Sequence, residues 1–141
     1  VESIVDALKK MHRALRAGGL LLDCHPMPEP SEIQVRVGAR STRVGQIDYT
    51  SEFEQTISNA EEALVSLGRE RVFSSQSSVD YQFLIHFESA AEWEEYFEYW
   101  ASYYEPMPDG LVQDIRALAA APGAEIILET KCRGTTFKKP G

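Results

Sequence analysis

Two consecutive glycines, Gly18 and Gly19, stand between a helix-like repeat and three consecutive leucines, and this junction constrains the fold more than any other feature. Ile4, Leu8, Met11 and Leu15 recur at helical spacing, with Lys9, Lys10, Arg13 and Arg16 mostly on other faces. The glycines stop that helix, because a residue without a side chain reverses the chain at positive φ without a clash. Leu20, Leu21 and Leu22 then form an apolar run ending at Asp23-Cys24-His25-Pro26, the pattern of an interior strand covered on both faces. A helix that reverses at once into a buried strand belongs to a layered α/β sheet.

The rest of the chain continues the alternation. Prolines in Met27-Pro28-Glu29-Pro30-Ser31 interrupt any ladder, so this stretch is a loop. Ile33, Val35 and Val37 alternate with polar residues, Gly38 to Ser41 turns, and Thr42 to Ile47 returns as the second arm of a hairpin over 30–48. Ser51 with Glu54 forms a capping-box pattern, and Phe53, Ile57, Ala60, Leu64 and Leu67 mark a helical stripe ending at Gly68. Ser74 to Ser78 reads as a polar loop. Val79, Tyr81, Phe83, Ile85 and Phe87 then place five large side chains on one strand face, opposite Gln82, Leu84 and His86. Ser89 with Glu92 repeats the capping pattern ahead of an aromatic helix containing Trp93, Tyr96, Phe97, Trp100 and Tyr104. Leu111, Val112, Ile115, Leu118 and Ala119 make a further helix up to Pro122-Gly123, and Ala124 to Phe137 is a long last strand.

Length and charge limit what this arrangement can do. With 141 residues, 43% of them hydrophobic, the chain can bury one real core, and a single domain over 1–141 is expected. A formal charge of −8 without a basic stripe repels phosphate backbones, which excludes nucleic acid as a direct ligand. No apolar run approaches bilayer length, so no membrane role is expected. Cys24 and Cys132 lack zinc-ligand spacing and read as free thiols of a cytoplasmic protein. Val1 in place of Met is a suspect edge: a processed tag, an engineered boundary or the edge of a fragment.

Arg13-Ala14-Leu15-Arg16-Ala17-Gly18-Gly19 followed by the leucines resembles class I S-adenosylmethionine-dependent methyltransferases, in which an R-x-L-x-P-G-G-type turn feeds the fifth sheet strand; Ala17 stands where proline is usual. "YQFLIHFES" is similar to the sixth strand of that family and "AEIILETKCR" to its antiparallel seventh. The resemblance implies an α/β fold with a mixed sheet flanked by helices, the C-terminal half of a Rossmann-like methyltransferase with an inserted β-hairpin and helix pair. Those insertions, 30–48 and 89–122, are assigned to a substrate cap. The family's cofactor site lies in its N-terminal half, and no G-x-G-x-G loop occurs here. The chain alone is therefore expected to carry no cofactor, with S-adenosylmethionine bound only where that half is supplied.

His25 ends a strand at the carboxyl side, where open α/β sheets collect ligands; otherwise it is a loop histidine hydrogen-bonded near Pro26. His86, on the less apolar strand face, faces a substrate cavity under the cap or is a satisfied structural histidine. Asp48 is a candidate contact that helix capping also explains. Trp93 and Tyr96 lead an aromatic stripe that lines a pocket for an apolar or aromatic substrate, or else forms core or an oligomer interface. Glu92, Glu94, Glu95 and Glu98 read as a solvated face rather than a metal cluster. No hydrolytic triad or HExxH helix occurs.

Two functions follow. One is the substrate-side portion of a methyltransferase acting on a small molecule, inactive alone. The other is a non-catalytic small-molecule-binding or assembly module derived from the same fold. A sheet without neighbours beyond Leu20 to Asp23 leaves unpaired backbone groups, so a homodimer or swapped oligomer through that edge is the expected partner arrangement.

Overall fold

The computed structural model describes residues 3–141. Among them are four helices and five strands: α1 (Ile4–Ala14), β1 (Leu20–Pro26), β2 (Ser31–Val37), β3 (Arg40–Ile47), α2 (Ser51–Arg69), β4 (Ser74–Phe87), α3 (Ala90–Tyr99), α4 (Asp109–Ala119) and β5 (Ala124–Lys138). The fold is α/β, with strand order β1-β5-β2-β3 and β4 also paired to β5. The sheet is antiparallel where a mixed one is expected. β5 runs against β1 through Leu20↔Lys138 to Pro26↔Cys132 and against β2 through Glu32↔Glu129 to Val37↔Ala124, so its C-terminal half pairs with β1 and its N-terminal half with β2.

The chain divides into two compact units, one built from Val1–Met27, Gln55–Tyr81 and Cys132–Gly141, the other from Pro28–Glu54 and Gln82–Lys131. Each has its own buried apolar cluster. The hairpin β2–β3 and the helices α3 and α4 all belong to the second unit.

In the first unit, Ser3 Oγ accepts the Asp6 amide and starts α1. The helix ends at Ala14, Leu15 is already extended, and only Leu8 is fully buried; Ile4 and Met11, expected on the packed stripe, are exposed. Val5, Leu8 and Leu15 instead pack with Leu64, Leu67, Phe73 and Phe137. Gly18, at φ +74°, donates its amide to the Lys139 carbonyl, and Lys139 returns its own amide to Gly19. Lys139 Nζ also donates to the His12 and Leu15 carbonyls, satisfying acceptors that the end of α1 leaves open.

β1 differs from the expected doubly covered strand. Leu21, Asp23 and His25 face one side and are half-buried, whereas Leu20 and Leu22 on the other side are 59% and 66% exposed. The two-residue period of a strand sends alternate leucines to opposite faces, and within this unit only the Leu21 face packs on the apolar cluster. Val79, Tyr81 and Phe83, three of the five large side chains that the alternation places on one face of β4, are likewise exposed. The expected loop 74–78 is the start of β4, because pairing with a distant strand overrides local polar composition.

In the second unit, β2 and β3 form the expected hairpin, with Gly38 at φ +60° in its turn and a bulge between Ile33 and Gln34. Ile33 and Val35 on β2 stand beside Leu128 and Ile126 on β5, and these four join Trp93, Phe97 and Ile115 in the core. Burying each such side chain contributes about 1.5–3 kcal/mol. Ser89 Oγ accepts the Glu92 amide and caps α3, and Glu92 Oε2 accepts the amide of Glu88, the residue before the cap. The cap of α2 lies one residue before the expected Ser51: Thr50 Oγ1 accepts the Phe53 amide. No described helix is long and apolar enough to cross a membrane.

Candidate functional site

The first unit holds an open pocket of about 950 Å³ between α2 and the strand face that carries Asp23 and His25. Strand period fixes this placement, since Leu21, Asp23 and His25 project to one side. On β5, Arg133, Thr135 and Phe137 line the pocket by the same rule. α2 supplies Glu61, Leu64, Val65, Gly68 and Arg69, one or two turns apart along the wall.

His25 is held from two sides. Its Nδ1 lies 2.6 Å from Asp23 Oδ2, and its Nε2 lies 3.1 Å from Glu61 Oε1. The imidazole is 13% exposed, against 25% for Asp23 and 37% for Glu61. A carboxylate only accepts, so both contacts are hydrogen bonds at once when each ring nitrogen carries a proton. The Asp23 contact is shorter and comes from the same strand, so it orients the ring. The Glu61 contact is longer and comes from the more exposed side chain.

The network extends across the sheet. Arg133 Nη1 is 3.7 Å from Glu61 Oε1, while its Nε and Nη2 donate to the two oxygens of Asp80 at 2.7 and 3.1 Å. This bidentate geometry fixes the guanidinium plane. Beside it, the Ser78 and Thr135 hydroxyl oxygens are 3.0 Å apart. The deep wall is apolar, with Leu64, Phe73 and Phe137 buried. The arrangement thus combines an apolar floor with a polar wall, the composition of a small-molecule site.

The other candidates from sequence lie in the second unit. His86 and Tyr96 share a shallow groove of about 420 Å³ with Trp100. His86 Nδ1 is 2.6 Å from Glu125 Oε1, and Arg36 pairs with the same carboxylate, so Glu125 titrates below the usual carboxylate range, chiefly through Arg36 and then His86. Trp93 is fully buried in the core and flanks a separate pocket of about 360 Å³; its indole Nε1–H has no hydrogen-bond partner among the described residues. Asp48 is exposed, and its backbone carbonyl accepts the Glu105 amide. The aromatic stripe is mainly structural: Tyr104 stacks on Tyr49 with ring centres 5.2 Å apart, and burial pushes its phenol well above the ordinary value. In the glutamate run, Glu94 is held below its usual range by the Arg116 guanidinium.

Asp23 was within reach of sequence reasoning, because Asp-x-His on a strand puts both side chains on one face. Glu61, 36 residues away, and Arg133 carry no local signal. A buried polar trio was equally illegible: Ser31 Oγ is 2.9 Å from Thr130 Oγ1 and 3.4 Å from Tyr49 Oη. The positive-φ glycines Gly18, Gly38 and Gly123 lie after helices or in a hairpin, and none lies between a strand and a helix N-terminus, where a phosphate- or nucleoside-binding turn would stand. Among the described residues, no three His, Cys, Asp or Glu side chains are disposed to hold a metal ion; Asp23 and Glu61 bind opposite nitrogens of His25. Comparison with family models, with curated proteins and with solved structures returns no match.

Proposed function

We propose that the chain is the substrate-side portion of an S-adenosylmethionine-dependent methyltransferase, inactive by itself, and that its small-molecule acceptor lies in the His25 pocket. The observation that carries this reading is a histidine held between Asp23 and Glu61 on the wall of an apolar-floored cavity large enough for such a ligand. Three features support the ancestry. Gly18 reverses the chain at φ +74° between α1 and β1, β1 runs antiparallel to the last strand, and the two segments assigned to a cap share one compact unit. In this reading Asp23 orients the imidazole and Nε2 exchanges Glu61 for a hydroxyl of the ligand. The cofactor is no part of that chemistry here, and the location is cytoplasmic.

Calorimetric titration tests the assignment. S-adenosylmethionine and its demethylated product should release no binding heat at millimolar concentration, whereas micromolar affinity for either contradicts a substrate-side role.

The alternative is a non-catalytic binding or assembly module, favoured by the apolar strand face opposite the pocket. There Leu20, Leu22, Val79 and Tyr81 are exposed, and β1 is the last strand in the sheet order. A second copy pairing its β1 antiparallel to this one satisfies the free backbone groups and adjoins the two apolar faces. Sedimentation at micromolar concentration should show a dimer that Leu22→Lys weakens; a strictly monomeric chain rules out this arrangement.

A further inference from the structure

The two arginines at the rim of the His25 pocket identify the class of ligand it takes. Asp23 and Glu61 are engaged by His25, and Arg133 is engaged by Asp80. Arg69 and Arg71 also line the pocket, are exposed, and make no hydrogen bond or ion pair through their side chains among the described residues. They are therefore the charges in the lining that remain available to a ligand.

Arg71 adopts φ 58°, the one positive-φ non-glycine among the described residues. Its amide donates to the Gly68 carbonyl and the next amide, of Val72, donates to the Leu67 carbonyl, a helix termination that glycine makes without steric cost. An arginine there holds a guanidinium over the cavity at a conformational cost, and such outliers cluster at ligand sites. A basic residue in the last turn of α2 is explained by the helix dipole, which accounts for Arg69. The dipole does not explain why residue 71, beyond the helix, is other than glycine.

We infer that the pocket binds a small molecule with an anionic group, such as a carboxylate, on an apolar body. The anion lies between Arg69 and Arg71, near the Ser74 and Ser75 hydroxyls, and the apolar body lies against Leu64, Phe73 and Phe137. Guanidinium groups suit this role because their planar fork matches a carboxylate. The inference rests on the reading of this pocket as the small-molecule site and adds the charge of the ligand to it.

The test compares 2-naphthoate with 2-naphthalenemethanol, its neutral counterpart, by NMR titration of the full chain, following amides of residues 61–78 and 133–137. Naphthoate should bind at least about tenfold more tightly than the alcohol, as a charge-assisted contact requires. Arg69→Gln with Arg71→Gln should remove that preference while leaving affinity for the alcohol unchanged. Equal binding of both probes, with pocket amides shifting, overturns the anionic ligand and leaves the pocket as a site. Failure of both probes to move those amides overturns the pocket reading itself.

Discussion

Replacing Arg71 by glycine should stabilise the protein while weakening its hold on an anion. A side chain in the left-handed region costs about 1–2 kcal/mol. Glycine avoids that cost but adds about 0.4–1 kcal/mol of backbone entropy to the unfolded chain. Arg71 makes no side-chain hydrogen bond or ion pair among the described residues, so little packing is lost with it, and its amide still reaches the Gly68 carbonyl. The net gain is roughly 0.5–1 kcal/mol relative to alanine at the same site, since alanine removes the guanidinium and keeps the strained φ. For a chain of 141 residues the unfolding entropy is about 0.3 kcal/mol/K, so this difference is about 2–3 °C in Tm. Scanning calorimetry of Arg71→Gly beside Arg71→Ala separates backbone from charge. If the alanine variant melts at or above the glycine variant, residue 71 is not strained in solution, and the argument from its conformation fails.

Acid should destabilise the protein partly through Glu125, whose carboxyl is depressed by Arg36 and His86. A depressed group stabilises the fold above the ordinary carboxylate range and loses that contribution as pH falls through its lower folded value. Glu125→Gln should therefore flatten the acid limb of a Tm-against-pH curve; an unchanged limb shows that the ion pairs contribute nothing. Ser31→Ala removes a fully buried hydroxyl from Thr130 and should cost about 1–3 kcal/mol by urea denaturation, with a loss under about 0.5 kcal/mol refuting the buried contact.

The order of elements was legible in the sequence because it depends on local signals. Gly18-Gly19, the alternation of Ile33, Val35 and Val37, the Ser89 cap and Pro122-Gly123 each act within a few residues, and the structure has the corresponding reversal, hairpin, helix start and helix stop. Which face of a strand is covered depends on what lies across it. Leu20, Leu22, Val79 and Tyr81 have the composition of buried strands, yet they form an exposed face, and no periodicity distinguishes the two cases. Ser74 to Ser78 looked like a loop because its ladder partner is a strand more than 50 residues later. His25 stood out by its place at a strand end, and Asp23 by strand period. Glu61, Arg133 and Arg71 reach the same pocket only through helix docking, a cross-strand neighbour and a helix terminus. His86, Tyr96 and Trp93 belong to the other unit, where His86 and Tyr96 share one groove and Trp93 flanks a separate pocket.

The central claim is that the His25 imidazole, clamped by Asp23 and Glu61, faces the bound ligand. It is tested most directly by following the side-chain ¹⁵N resonances of all three histidines during titration with 2-naphthoate. The account predicts that Nε2 of His25 shifts in step with the Glu61 and Arg133 amides while His86 stays fixed. A saturable shift of His86 with the Tyr96 and Trp100 amides, and none at His25, would place the ligand in the other groove and contradict it.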